Sequence, residues 1–305
     1  MVVGAAKNYT TQGRSPRPGL PVDDNDPQYC MPPVQMPCYY SLSMTSLSYP
    51  VRPLVLALVS ALALTFTLSG CGSDKPEVTV FAAASLADVL QPLGERFEAE
   101  QGIDVRFSFG GSWMLSQQIT RGAPADLFLA AGPAPMDALG DDGFLASASR
   151  SDLLSNILVI VGVEPRDAVV FTPADLLGGD VSRIALGDPS LAPAGSYARE
   201  ALQGMGLWDD IQGKLVYGLN VRTALQYVTS GNADIAIVYA TDAASDDGLR
   251  TLWAFPPESH SPIRYPVAML SEADNPDEAA AFLAFLRSEV ASVIFTEYGF
   301  KPIER

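Results

Sequence analysis

From Val78 onward the chain alternates short apolar runs with stretches in which apolar residues recur every three or four positions. VTVFAAA (78–84) has the make-up of a strand. After Ser85, the residues Leu86, Val89, Leu90, Leu93 and Phe97 fall at helical spacing. Ser85 is thus placed as an N-cap, and Asp88 three residues on completes a variant capping box. IDVRFSF (103–109) predicts a second strand and Gly110-Gly111 a turn. A second serine-led helix follows from Ser112 to Arg121, with Leu115 and Ile119 on one face. DLFLAA (126–131), ILVIVGV (157–163), RIALG (183–187) and DIAIVY (234–239) are continuous apolar runs of the kind that form buried parallel strands, and helical stretches separate most of them. This alternation predicts an α/β fold with mainly parallel sheets. In such folds ligands sit at strand C-terminal ends, beside helix N-termini.

The N-terminal quarter breaks that pattern. Leu54 to Gly70 (LVLALVSALALTFTLSG) carries no charge and lies between Arg52 and Cys71. A core helix of that length would show a polar face, and a membrane span needs about 20 apolar residues, so residues 51–70 are expected to be a signal peptide. Leu68-Ser69-Gly70-Cys71 resembles the lipobox of bacterial lipoproteins, which implies that Cys71 carries the lipid as the first residue of the mature protein. An uncleaved anchor is the alternative, and it leaves the same body outside the membrane. Residues 1–50, with Pro16, Pro18, Pro21, Pro27, Pro32 and Pro33 among polar residues, show no period. They are expected to be an unstructured extension or a mis-called start, the true start lying nearer Met44.

Composition narrows the chemistry. Hydrophobic residues make up 48% and charged residues 18%, which suits a packed body rather than a disordered one. Of three cysteines, Cys30 and Cys38 lie upstream and Cys71 at the expected cleavage point. With His260 as the single histidine, neither a zinc site nor a cysteine nucleophile is expected. Residues 1–70 hold four basic and three acidic side chains, so the remainder carries 15 basic against 32 acidic, a formal charge of −17. That balance argues against nucleic acid, whose binding rests on Lys and Arg contacts to phosphate. An anion would have to be held by local dipoles.

Three helix starts supply such dipoles, because a helix N-terminus offers unpaired N–H groups and a partial positive charge. They fall at Ser85, at Ser112 and at Pro193-Ala194-Gly195. Serine caps helices everywhere, so either serine alone is better explained by capping, and the third start adds little on its own. Their combination in an acidic chain is what points to an oxyanion.

The segments VTVFAAASLADVL (78–90), GAPADLFLAA (122–131), ALGDPSLAPAGSYAREAL (185–202), LNVRTALQYV (219–228), IAIVYATDA (235–243), YPVAMLSEADNP (265–276) and FTEYGF (295–300) resemble those of the periplasmic molybdate-binding proteins of ABC importers. The resemblance implies a two-lobed periplasmic-binding-protein fold of type II, with residues 76–155 plus 262–305 forming lobe 1 and 156–261 lobe 2. It implies a monomer with no enzymatic activity and no cofactor. The ligand would be molybdate or tungstate, delivered to a permease. Ser85 and Ser112 would bind the oxyanion through hydroxyl and N–H, Ala194 and Val221 through backbone amides, and Tyr239 through its phenol. FGGSWML (109–115) departs from the more serine-rich stretch usual there, with bulky Trp113 beside Ser112.

Other readings stay open at this level. Tyr239 and Val221 suit an ordinary core, and Arg222 a salt-bridged surface position. An exported hydrolase would have to build its triad on His260, expected in an exposed loop, and no G-x-S-x-G elbow is present. A binder of sulfate, phosphate or an organic solute on the same fold is the nearer alternative. A phosphate site needs an acceptor for the ligand's proton, a role open to Asp126 or Asp188 if either lined the cleft.

Overall fold

The computed structural model describes residues 75–163 and 171–303, so the expectations for residues 1–50, 51–70 and Cys71 lie outside the described residues. Among the described residues, eleven strands make two sheets. The first holds β1 (Glu77–Ala83), β2 (Asp104–Gly110), β3 (Leu127–Leu129), β4 (Ser151–Ser155), β10 (Tyr265–Met269) and β11 (Lys301–Pro302), in the order β11-β4-β10-β3-β1-β2. The second holds β5 (Leu158–Val163), β6 (Ile184–Gly187), β7 (Leu215–Gly218), β8 (Ile235–Tyr239) and β9 (Leu249–Ala254), in the order β7-β6-β8-β5-β9. Each sheet is flanked by helices and forms one α/β lobe. The chain crosses between lobes at Asn156-Ile157 and returns after β9.

The α/β class holds, but the expectation of mainly parallel sheets needs correcting. β1 pairs in parallel with β2 and β3, and β6 with β7 and β8. The remaining pairs are antiparallel: β10 with β3 and β4, β11 with β4, and β5 with β8 and β9. ILVIVGV is therefore an antiparallel strand. Its continuous apolar character reports burial on both faces, and an interior strand has that burial whichever way it runs.

Helix α1 (Ala87–Gln101) buries Val89, Leu90, Leu93 and Phe97 and ends at Gly102, whose φ of 71° is the left-handed conformation a C-terminal glycine supplies. The expected Ser85 cap is absent. Residues Ala84–Leu86 form a 3-10 turn, α1 starts behind Leu86, and no side chain caps it. Helix α2 (Ser112–Thr120) has Gly111 at its N-cap and Ser112 as its first helical residue. In the second lobe, α4 (Pro193–Gly204) and α5 (Val221–Thr229) pack on β6 and β8, following α3 (Pro133–Asp141) of the first lobe. Helices α6 (Pro276–Leu286) and α7 (Glu289–Glu297) complete the first lobe. Apolar residues from both lobes merge into one core, running from Val80 and Leu93 to Ile160, Leu186 and Ile237.

Candidate functional site

The sheet and helix ends converge between the lobes. Ser85 sits in the turn that leaves β1, Ser112 opens α2 after β2, Ala194 is in the first turn of α4 after Pro193, Val221 opens α5, and Tyr239 ends β8. All five line one cavity, together with Gly110, Gly111 and Ala131 of the first lobe and Ala192, Pro193 and Asn220 of the second. Its volume is about 10 Å³, room for about one water molecule and far below the roughly 300–1,000 Å³ usual for larger organic ligands. None of the residues lining it carries a charge.

The donors are set by local structure. The N–H groups of Ser112, Ala194 and Val221 lie in first helical turns, where the helix itself has no acceptor for them. At α5 the Asn220 side chain accepts the N–H of Thr223 at 3.0 Å and leaves that of Val221 uncapped. The Ser112 hydroxyl oxygen accepts the N–H of Ala131 at 3.0 Å, so the serine's own proton is available elsewhere. The Tyr239 phenol, fully buried, donates to the Ala131 carbonyl at 3.1 Å, a bond from one lobe to the other. Burial pushes this phenol well above its ordinary value and keeps it protonated. An anion in the cavity therefore competes with a carbonyl for the Tyr239 proton, whereas the Ser112 hydroxyl proton is not committed to Ala131.

Gly111 allows the lobes to meet this closely. A β-carbon built there would stand 2.6 Å from the Leu191 carbonyl oxygen and 2.7 Å from that of Leu219, both second-lobe backbone. The neighbouring Trp113 N–H bonds the same Leu191 carbonyl at 3.1 Å. In the sequence Gly110-Gly111 reads only as a turn; the contact that requires glycine comes from loops some 80 and 110 residues away.

Arg222 lies outside this cavity and joins three groups. It bonds Asp88 Oδ2 at 2.6 Å across the lobes, bonds Ser245 Oγ at 3.0 Å, and lies 2.7 Å from Asp242 Oδ1 as an ion contact rather than an aligned hydrogen bond. Asp242 is completely buried, and desolvation outweighs the nearby guanidinium to push its carboxyl up to about 6. Asp126 accepts from Thr79 N–H and from Asn275, and Asp188 from the N–H and hydroxyl of Ser190, so these carboxylates tie loops and neither lines the cavity. His260 is half-buried against the Tyr197 ring rather than exposed, and its Nδ1 lies 2.8 Å from the Ser261 carbonyl oxygen. Among the described residues, no group of three or more His, Cys, Asp or Glu is placed to hold a metal ion.

Residues 78–301 match the family model described as bacterial extracellular solute-binding protein. A molybdate-binding protein of Escherichia coli (strain K12) is 40% identical over 252 residues, covering 80% of this chain and 97% of that protein. A molybdate-binding protein of Haemophilus influenzae is 35% identical over 250 residues, covering 80% of this chain and 94% of that protein. The solved periplasmic molybdate-binding protein of Azotobacter vinelandii superposes with a TM-score of 0.67 at 24% identity, covering 74% of this chain and all of that one, a likeness of fold. With its two α/β lobes, an uncharged cavity between them and a match spanning nearly all the described residues, the chain belongs to the bacterial extracellular solute-binding proteins, a binding rather than a catalytic family.

Proposed function

We propose that the protein captures molybdate, with tungstate as an equivalent ligand, and delivers it to an ABC importer. The observation that carries this reading is the small cavity between the lobes, free of charged side chains, whose lining includes two serines, a tyrosine and the first-turn residues Ala194 and Val221. A tetrahedral dianion presents four oxygens that only accept. Hydroxyls and first-turn amides satisfy them, and the helix dipoles supply the positive potential that a lysine or arginine would otherwise provide. Ser85, Ser112, Ala194, Val221 and Tyr239, which line the cavity, form the donor set, and molybdate is the ligand named in the relatives' descriptions.

Lobe 1 comprises residues 76–155 plus 262–305 and lobe 2 residues 156–261. The donor set spans both, so ligand favours the closed arrangement through contacts that an open cleft cannot make all at once. The protein acts as a monomer, tethered through a lipid on Cys71 at the outer face of the membrane, and the closed form is what the permease binds.

Calorimetric titration with molybdate, tungstate, sulfate and phosphate tests the reading. Tight binding of the first two alone is expected. Tight sulfate or phosphate binding would replace the substrate while keeping the transport role, and silence toward all four would refute the oxyanion reading.

A further inference from the structure

Beside the cavity lies a polar chain, half-buried at Asn156 and buried at Thr241 and Tyr265, made of residues that the sequence did not single out. Asn156, in the two-residue crossing between β4 and β5, accepts the N–H of Ile157 on its Oδ1 at 2.8 Å, which fixes the orientation of its amide. Its Nδ2 consequently points the other way and donates to Thr241 Oγ1 at 2.9 Å and to Tyr265 Oη at 3.2 Å. Tyr265 is 1% exposed and its ring is packed edge-on against Phe300. Its hydroxyl has one further partner, Ser85 Oγ at 3.3 Å.

The direction of that last bond follows from the count of protons. The phenol oxygen accepts from Asn156, so its own proton goes to the remaining partner, and Ser85 Oγ is the acceptor. A serine hydroxyl that accepts from behind turns its single proton elsewhere, and Ser85 forms part of the cavity wall. Ser112 is arranged alike, accepting the Ala131 N–H from behind.

We propose that Tyr265, held by Asn156, is a positioning residue that fixes the Ser85 hydroxyl as a donor into the anion cavity. Without this chain the hydroxyl is free to rotate between donating to the cavity and donating to the interior. With it, the donating orientation exists before the anion arrives, and no ordering remains to be done on binding. This rests on the oxyanion-binding reading above.

The test is a double-mutant cycle read by calorimetric titration with molybdate. Tyr265→Phe keeps the ring and its packing and removes only the hydroxyl. It should weaken molybdate binding about tenfold, the effect of one charge-assisted hydrogen bond losing its preferred orientation. Ser85→Ala should weaken it by about tenfold to a hundredfold and leave it measurable, because the backbone amides remain. In the Ser85→Ala background, Tyr265→Phe should have no further effect, since the group it orients is gone. Asn156→Ala gives a second cycle with the same expectation, and melting temperatures without ligand separate binding effects from folding defects. Wild-type affinity in Tyr265→Phe overturns the proposal, as does an equal loss with and without Ser85, the mark of a merely structural role. Failure of the unaltered protein to bind molybdate would strike at the proposed function itself.

Discussion

Gly111→Ala isolates the approach of the two lobes from the stability of either. Gly111 has φ −68° and ψ 133°, values open to any residue, so alanine adds no backbone strain there. What it adds is a methyl 2.6 and 2.7 Å from the Leu191 and Leu219 carbonyl oxygens. Both obstacles are backbone and no rotamer relieves them, so ordinary contact requires the lobes to part by about 0.7–0.8 Å at this point. Overpacking of this kind costs about 1–3 kcal/mol, and stretching the Trp113 N–H to Leu191 bond adds about 1 kcal/mol. If the ligand-free protein opens, the whole cost falls on the closed complex. Molybdate affinity then drops by about 2–4 kcal/mol, roughly 30- to 700-fold. Calorimetric titration measures that loss, and thermal melting without ligand should show little change. Wild-type affinity in a normally folded Gly111→Ala protein would refute the reasoning. An equal loss of stability without ligand would show that the contact belongs to the fold and not to closure.

Ser112→Ala should weaken molybdate binding about tenfold to a hundredfold in the same titration, because an uncharged site has no cation to compensate for a lost donor. Gly195→Ala should abolish stable folding of the second lobe, seen as loss of soluble protein or of cooperative melting, since its methyl would stand 1.8 Å from the Gly187 carbonyl oxygen. Asp242 gives a pH signature. Its carboxyl is raised to about 6 in the fold against 3.8 in the open chain, so the folded state holds the proton more tightly and stability falls as pH rises from about 4 to about 6. Asp242→Asn removes this contribution. Its stability relative to wild type should improve by roughly 2 kcal/mol between pH 4 and pH 7 in denaturant titrations, and a constant difference across that range would contradict the assignment.

Burial and period are local properties, and the sequence by itself determined what depends on them. The runs VTVFAA and DIAIVY became buried strands, and Leu90, Leu93 and Phe97 face the core at the spacing that marked them. Helix starts at Ser112 and Pro193 were legible, the second because proline suits a first helical turn, although Gly111 and not Ser112 holds the N-cap; the start at Val221, capped by Asn220, was not marked. The direction of ILVIVGV was not legible, since a strand buried on both faces looks the same either way, and it is decided only in its pairing with β8 and β9. Ser85 looked like a cap by the local rule, yet its hydroxyl bonds Tyr265, 180 residues along the chain. No window of sequence contains both. The same holds for Gly111 under the Leu191 and Leu219 carbonyls and for Arg222 reaching Asp88 across the lobes. The sequence named groups able to donate hydrogen bonds. Only the tertiary structure decided which of them meet around one cavity, and which way the Ser85 proton points, because both depend on neighbours brought together by the packing of two separate sheets.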